Sequence, residues 1–225
     1  MRLNKYIAQA GVCSRRKADE LIENGQIKIN GRVIKELGTI IDESKDEISI
    51  GSRKLELPSA KVYFAMNKPV GYITSSTSAQ GKSVMELLKA VSERIYPVGR
   101  LDKDSHGLIL LTNDGDFAYR LTQAKFGCEK EYEVTLNRPL LTRDKKIFER
   151  GIILEGKQLH PVKVAAQNGN KVTMILQEGI NRQIRRMAEK QNYEVEDLKR
   201  IRIGKFKLGN LKEGGYIHIR PSDVI

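Results

Sequence analysis

The chain has 225 residues, 40 of them Lys or Arg against 28 Asp or Glu, for a formal net charge of +12. That length builds one large domain or two smaller ones with a proper core, and the positive balance implies an anionic partner, nucleic acid before any other. No apolar stretch reaches the length of a membrane span, and the N-terminus lacks a signal-peptide core. Cys13 and Cys128 lack metal or redox spacing, so the chain is expected in the cytoplasm with reduced thiols.

Leu3, Ile7 and Ala10 share one helical face, and Gly11 breaks it. Ser14 is placed to cap a second helix, whose stripe is Ala18, Leu21 and Ile22 and whose end is Gly25. Ile27, Ile29 and Val33 around Asn30-Gly31 predict a hairpin, because both turn residues accept positive backbone angles. Arg2, Lys5, Arg15, Arg16, Lys17, Lys28 and Arg32 precede an acidic stretch at Asp42, Glu43, Asp46 and Glu47. Arg15, Arg16 and Lys17 fall in a first helical turn, where the dipole disfavours cations; a bound anion offsets that, and a solvated charged face is the plain alternative. From Arg2 to about Ile50 this helix–helix–hairpin order resembles the small RNA-binding module first described in ribosomal protein S4.

Residues 51–60, with Gly51, Ser52, Pro58 and Ser59, read as a linker between a first unit of residues 1–50 and a second of residues 61–225. In the second unit Val62–Met66, Leu108–Thr112, Tyr132–Leu136, Lys163–Ala166, Val172–Leu176 and Tyr216–Arg220 read as strands. Val84–Val91, Asp116–Gln123 and Arg182–Gln191 read as helices. The mixture predicts an α+β fold with a largely antiparallel sheet.

Four stretches can carry chemistry. Residues 99–107, Gly-Arg-Leu-Asp-Lys-Asp-Ser-His-Gly, hold the Asp102 carboxylate between Arg100 and Lys103, which favour its ionised form; taken alone, the run reads first as a turn. A calcium loop starting at Asp102 fails, because His106 and Asn113 stand where oxygen ligands are needed. His106, His160 and His218 are isolated, so no metal cluster is visible. Lys68-Pro69 with Gly71 is an extended lead into a turn, and Tyr132 follows Lys130 at the head of a strand. In Asn181–Ala188, Ile184, Met187 and Ala188 make the buried stripe; Arg185 borders it and can enter a cleft, while Arg182 and Arg186 meet solvent or phosphate. A carboxylate partner for Arg185 would relieve the crowding of like charges.

Gly99-Arg100-Leu101-Asp102 with Ser105 and Gly107, Leu108 through Asn113-Asp114-Gly115, Lys130-Glu131-Tyr132, and Asn181 through Met187 resemble, in order, the signature motifs of ribosomal RNA pseudouridine synthases. The wording is most like the F type among the large-subunit synthases. The resemblance implies a cofactor-free isomerase that detaches a uracil through nitrogen and rejoins it through carbon. Asp102 would be the catalytic carboxylate, attacking the sugar, attacking the base or removing a sugar proton. Arg185 would pair with Asp102, and Tyr132 would stack on the base. The uridine must be extruded from its stem, with Arg100 as the aid; Lys68, Lys130, Arg182 and Arg186 are candidate RNA contacts beside the basic residues of the first unit. Expected partners are large-subunit ribosomal RNA and, in some relatives, transfer RNA or small-subunit RNA, for a monomeric enzyme. The rival class is a non-catalytic RNA-binding or ribosome-assembly protein, which leaves about two thirds of the chain unused. A metal-dependent nuclease would need clustered carboxylates.

Overall fold

The computed structural model describes residues 1–58, 60–79 and 81–225; Ser59, counted above in the linker, lies outside them. The chain forms two compact units, Met1–Lys61 and Val62–Ile225.

In the first unit, α1 (Leu3–Gln9) and α2 (Arg15–Glu23) precede β1 (Ile27–Ile29), β2 (Arg32–Ile34), β3 (Ile48–Ile50) and β4 (Arg53–Lys54). The strands lie in the order β2-β1-β3-β4. Ser14 caps α2, its hydroxyl accepting from the Lys17 N–H at 3.2 Å. Asn30 and Gly31 take the positive φ values, 51° and 81°, that the hairpin requires. Leu3, Ile7, Ala18, Ile22, Ile27 and Ile48 close the core. Gly51 and Ser52 do not open a linker: they turn between β3 and β4, and Leu55 beyond them is buried in the same core. The Tyr6 hydroxyl donates to the Leu55 carbonyl at 3.0 Å, fixing that segment to the unit.

The second unit contains β5 (Tyr63–Lys68), β6 (Tyr96–Val98), β7 (His106–Thr112), α3 (Gly115–Thr122), β8 (Lys130–Leu136) and α4 (Thr142–Arg150). They are followed by β9 (Ile153–Leu154), β10 (Lys157–Gln158), β11 (Lys163–Asn168), β12 (Lys171–Leu176), α5 (Gln183–Lys190), β13 (Val195–Ile203), β14 (Phe206–Lys207) and β15 (Tyr216–His218). The main sheet runs β11-β12-β8-β13-β7-β5-β15, with β6 also on β7 and β14 on β13; β9 and β10 form a separate hairpin. Among the described strands only β13 and β7 pair in parallel. The fold is therefore α+β with a largely antiparallel sheet. The helix expected over residues 84–91 is a single 3-10 turn, Val84–Leu87: Ser83 and Glu86 cap its start, but Leu88 leaves helical angles and buries its side chain.

One apolar cluster packs α4 and α5 on β8, β12 and β13 through Val134, Phe148, Met174, Met187 and Leu198. Two others cover the faces of β5 and β7. The two halves meet at the parallel pair, where the register is Lys199 with His106 and Arg200 with Gly107. Gly107 has φ 100°, and a Cβ there would collide with the Arg200 backbone. The Arg200 Nε donates to the Leu108 carbonyl at 2.7 Å and ties the seam.

Candidate active site

The segment from Gly99 to Ser105 links β6 to β7, and its backbone is gripped from several sides. The Thr74 hydroxyl donates to the Leu101 carbonyl at 2.7 Å and accepts the Leu101 N–H at 3.1 Å. The Gly71 N–H donates to the Lys103 carbonyl at 2.8 Å, and the Ser105 N–H closes a turn on the Asp102 carbonyl at 3.1 Å. The Lys68 ammonium donates to the carbonyls of Ser105, at 2.5 Å, and Pro69, at 2.9 Å. Lys68 is therefore not a surface phosphate contact, since its side chain is fully buried as a support for the loop. Burial pushes its pKa down to about 8, although the carboxylates of Asp104 and Asp102 pull the other way. Thr74 lies outside the motifs, and nothing in its sequence surroundings marks it as an anchor.

A cleft of about 200 Å³ opens beside the loop, lined by Asp102, Lys130, Tyr132, Ile180, Arg182 and Arg200 among others. Ligand pockets for larger small molecules span roughly 300–1,000 Å³, so this one suits a single flat ring. Lys130 and Tyr132, two residues apart on β8, project from one face of the sheet, and Arg200 stands opposite Tyr132 in register. The Arg200 guanidinium carbon is 6.0 Å from the Tyr132 ring centroid. Lys130 was expected on the RNA backbone; it is instead buried, because it faces this cleft.

The arginine partnership also differs from the expectation. α5 begins at Gln183, leaving Arg182 as its N-cap in left-handed backbone, and its Nη1 donates to both Asp104 carboxylate oxygens at 3.1 Å. The same nitrogen is 3.8 Å from Asp102 Oδ2. Arg185 does not reach Asp102; it donates to the Asp104 carbonyl at 3.0 Å and the Val195 carbonyl at 2.7 Å, with its Nε 3.4 Å from the Asp104 carboxylate. The carboxylate that relieves the arginine crowding is thus Asp104, two residues beyond the one expected. Asp102 keeps a partly open side chain at the cleft.

Arg186 lies outside this group, paired with Glu155 at 2.7 Å, and Arg100 is exposed on the loop. His106 meets Asp197 at 3.0 Å and is absent from the cleft lining. In the first unit Arg2, Arg15, Arg16, Lys17 and Arg32 are exposed and Lys5 is half-buried; Lys17 is paired with Glu20 at 2.6 Å.

A half-open carboxylate, Asp102, beside a ring-sized cleft with a tyrosine and several cations, in a chain with a basic helix–helix–hairpin unit, defines an enzyme that works on a base of RNA. Family models for RNA pseudouridylate synthase and for the S4 domain match residues 62–190 and 1–48, and the chain belongs to the RNA pseudouridylate synthase family, whose members are isomerases. It is 41% identical over 99% of its length to ribosomal large subunit pseudouridine synthase B of Bacillus subtilis, covering 93% of that protein. It is 36% identical over its full length to the dual-specificity RNA pseudouridine synthase RluF of Escherichia coli K12, covering 77% of it. A crystal structure of a pseudouridylate synthase is similar with a TM-score of 0.73 and 31% identity, covering 99% of this chain and 97% of that one. Among the described residues no helix is long and apolar enough to cross a membrane.

Proposed function

We propose that this enzyme converts specific uridines of large-subunit ribosomal RNA to pseudouridine, with Asp102 as the catalytic carboxylate and Tyr132 as the platform for the extruded base. The observation that carries the reading is the position of Asp102, on a loop gripped through its backbone, at a cleft sized for one ring. Clamping the backbone leaves the carboxylate itself available for chemistry. Arg182 is the cation nearest that carboxylate, and Arg185 acts as a positioning residue through Asp104. The large-subunit target is supported by the relatives, one of which is named for that RNA.

Extruding a uridine from a stem costs a few kcal/mol, which the exposed Arg100 and the basic surface of the first unit offset by holding the flanking backbone. The test is Asp102→Asn on 23S ribosomal RNA transcribed in vitro, read by carbodiimide adducts and primer extension. Pseudouridine formation is expected to vanish while RNA binding survives; full activity in this variant refutes the assignment. A transfer RNA arm in the same assay tests the broader substrate range suggested by the relative named dual-specificity.

A further inference from the structure

Two cations of the cleft each present a nitrogen without a partner. The Nζ of Lys130 and the Nη2 of Arg200 are buried and lack any hydrogen-bond acceptor among the described residues, although only 8% of Lys130 and 3% of Arg200 is exposed. A buried cation left so is costly, and proteins ordinarily pair it. Neighbouring Arg202 shows the ordinary solution, since its guanidinium meets Glu131 at 2.5 Å and Glu129 at 3.0 Å.

The separation of these arginines is built into the strand. Arg200 and Arg202 are two residues apart and would share a face of a regular strand, but a register shift lies between them. Arg200 then opposes Tyr132 and Arg202 opposes Glu131, so that one arginine is turned to the carboxylates and the other to the cleft. The cleft's own carboxylates are occupied elsewhere: Glu178 accepts from Gln183 at 2.7 Å and from the His160 N–H at 3.0 Å, and Asp102 faces Arg182.

We propose that Lys130 and Arg200 form a cationic clamp for the uracil anion released when the glycosidic bond breaks. The inference rests on the uridine-isomerising reading of the cleft. When the C1′–N1 bond breaks, its electron pair leaves with N1, and the charge spreads over the base oxygens O2 and O4. An ammonium and a guanidinium beside Tyr132 donate to those oxygens and stabilise the leaving base while it turns. The negative charge is consumed when C5 bonds to C1′; the C5 proton is then lost and N1 gains one, so the clamp itself neither gives nor takes a proton. Lys130 has no hydrogen bond to break before it reaches the base. Donors aimed at charge that develops only in the transition state contribute to rate rather than to RNA affinity.

Lys130→Met is the clean variant, because Arg200 also holds the seam through Leu108. The probe is 23S ribosomal RNA transcribed with uridine or with 5-fluorouridine, digested and read by nucleoside mass spectrometry as loss of the N-linked nucleoside at the target. With uridine, the single-turnover rate is expected to fall by about 10²-fold, with RNA affinity unchanged and the melting temperature equal to or above wild type. With 5-fluorouridine, whose base leaves as a weaker base, the deficit is expected to shrink. An unchanged rate, an equal deficit on both RNAs, or a loss of affinity at unchanged rate overturns the clamp, the last marking Lys130 as a phosphate contact. Wild-type enzyme that converts no uridine overturns the functional reading and the clamp with it.

Discussion

Thr74→Val isolates the grip on the Asp102 loop. Valine keeps the shape of threonine and removes the hydroxyl that donates to the Leu101 carbonyl at 2.7 Å and accepts its N–H at 3.1 Å. Each buried backbone group left unmet costs about 1–3 kcal/mol. Both bonds are only partly covered, so the low end applies and the variant is expected to lose about 2 kcal/mol. The loop recovers part of this by shifting, and a displacement of about 1 Å at a reacting group costs about 10²-fold in rate. Thr74 is not among the cleft-lining residues, so RNA affinity should stay as it is. Urea denaturation and single-turnover conversion of 23S ribosomal RNA measure the two effects. A valine variant with wild-type stability and rate would refute the idea that this hydroxyl sets the loop.

Two further outcomes follow from the sheet and its buried lysine. Gly107→Ala forces a side chain into a φ of 100° and onto the Arg200 backbone, so a loss of at least about 3 kcal/mol is expected; an unchanged urea midpoint would contradict the close approach. Lys68 gives up its proton near pH 8 in the folded chain and near 10.5 when unfolded, so the unfolded state binds more protons in between and stability rises with pH across that window. The rise amounts to about 3 kcal/mol and should be missing from Lys68→Met; identical pH dependence in the two proteins would exclude Lys68 as its source.

Much of the frame was legible because its signals are local. The Ser14 cap, the Asn30-Gly31 turn and the apolar runs at Leu108–Thr112 and Val172–Leu176 depend on neighbours in sequence. The strand Val195–Ile203 was missed, although it lies inside the sheet, because Val-Glu-Asp-Leu-Lys-Arg-Ile-Arg-Ile carries its charges on both faces and a register shift breaks its alternation. The helix Thr142–Arg150 was hidden in the same way: it is mostly charged, and its buried Asp144 is satisfied at long range by the Tyr193 hydroxyl at 2.7 Å. At the site, the motifs brought Asp102, Tyr132 and the arginines to one place, but which carboxylate each arginine meets depends on the left-handed turn at Arg182. Charge alone did not separate buried Lys68 and Lys130 from exposed Arg100; only the faces they occupy do.

The parallel seam between β7 and β13 also governs when the site comes into being. It joins Gly107 to Arg200 and Leu108 to the same arginine, partners separated by more than ninety positions along the chain. Closing so long a loop comes late in folding, after the locally wired hairpins have formed. A nascent chain that has emerged only as far as α5 carries Asp102, Tyr132 and Arg185 but lacks Leu198, Arg200 and Ile203 of the cleft lining and the strand that joins β8 to β7. Activity is thus expected only once Val195–Ile203 has been made and paired, and a chain stopped at Lys190 holds its aspartate without the completed pocket that would put it to use.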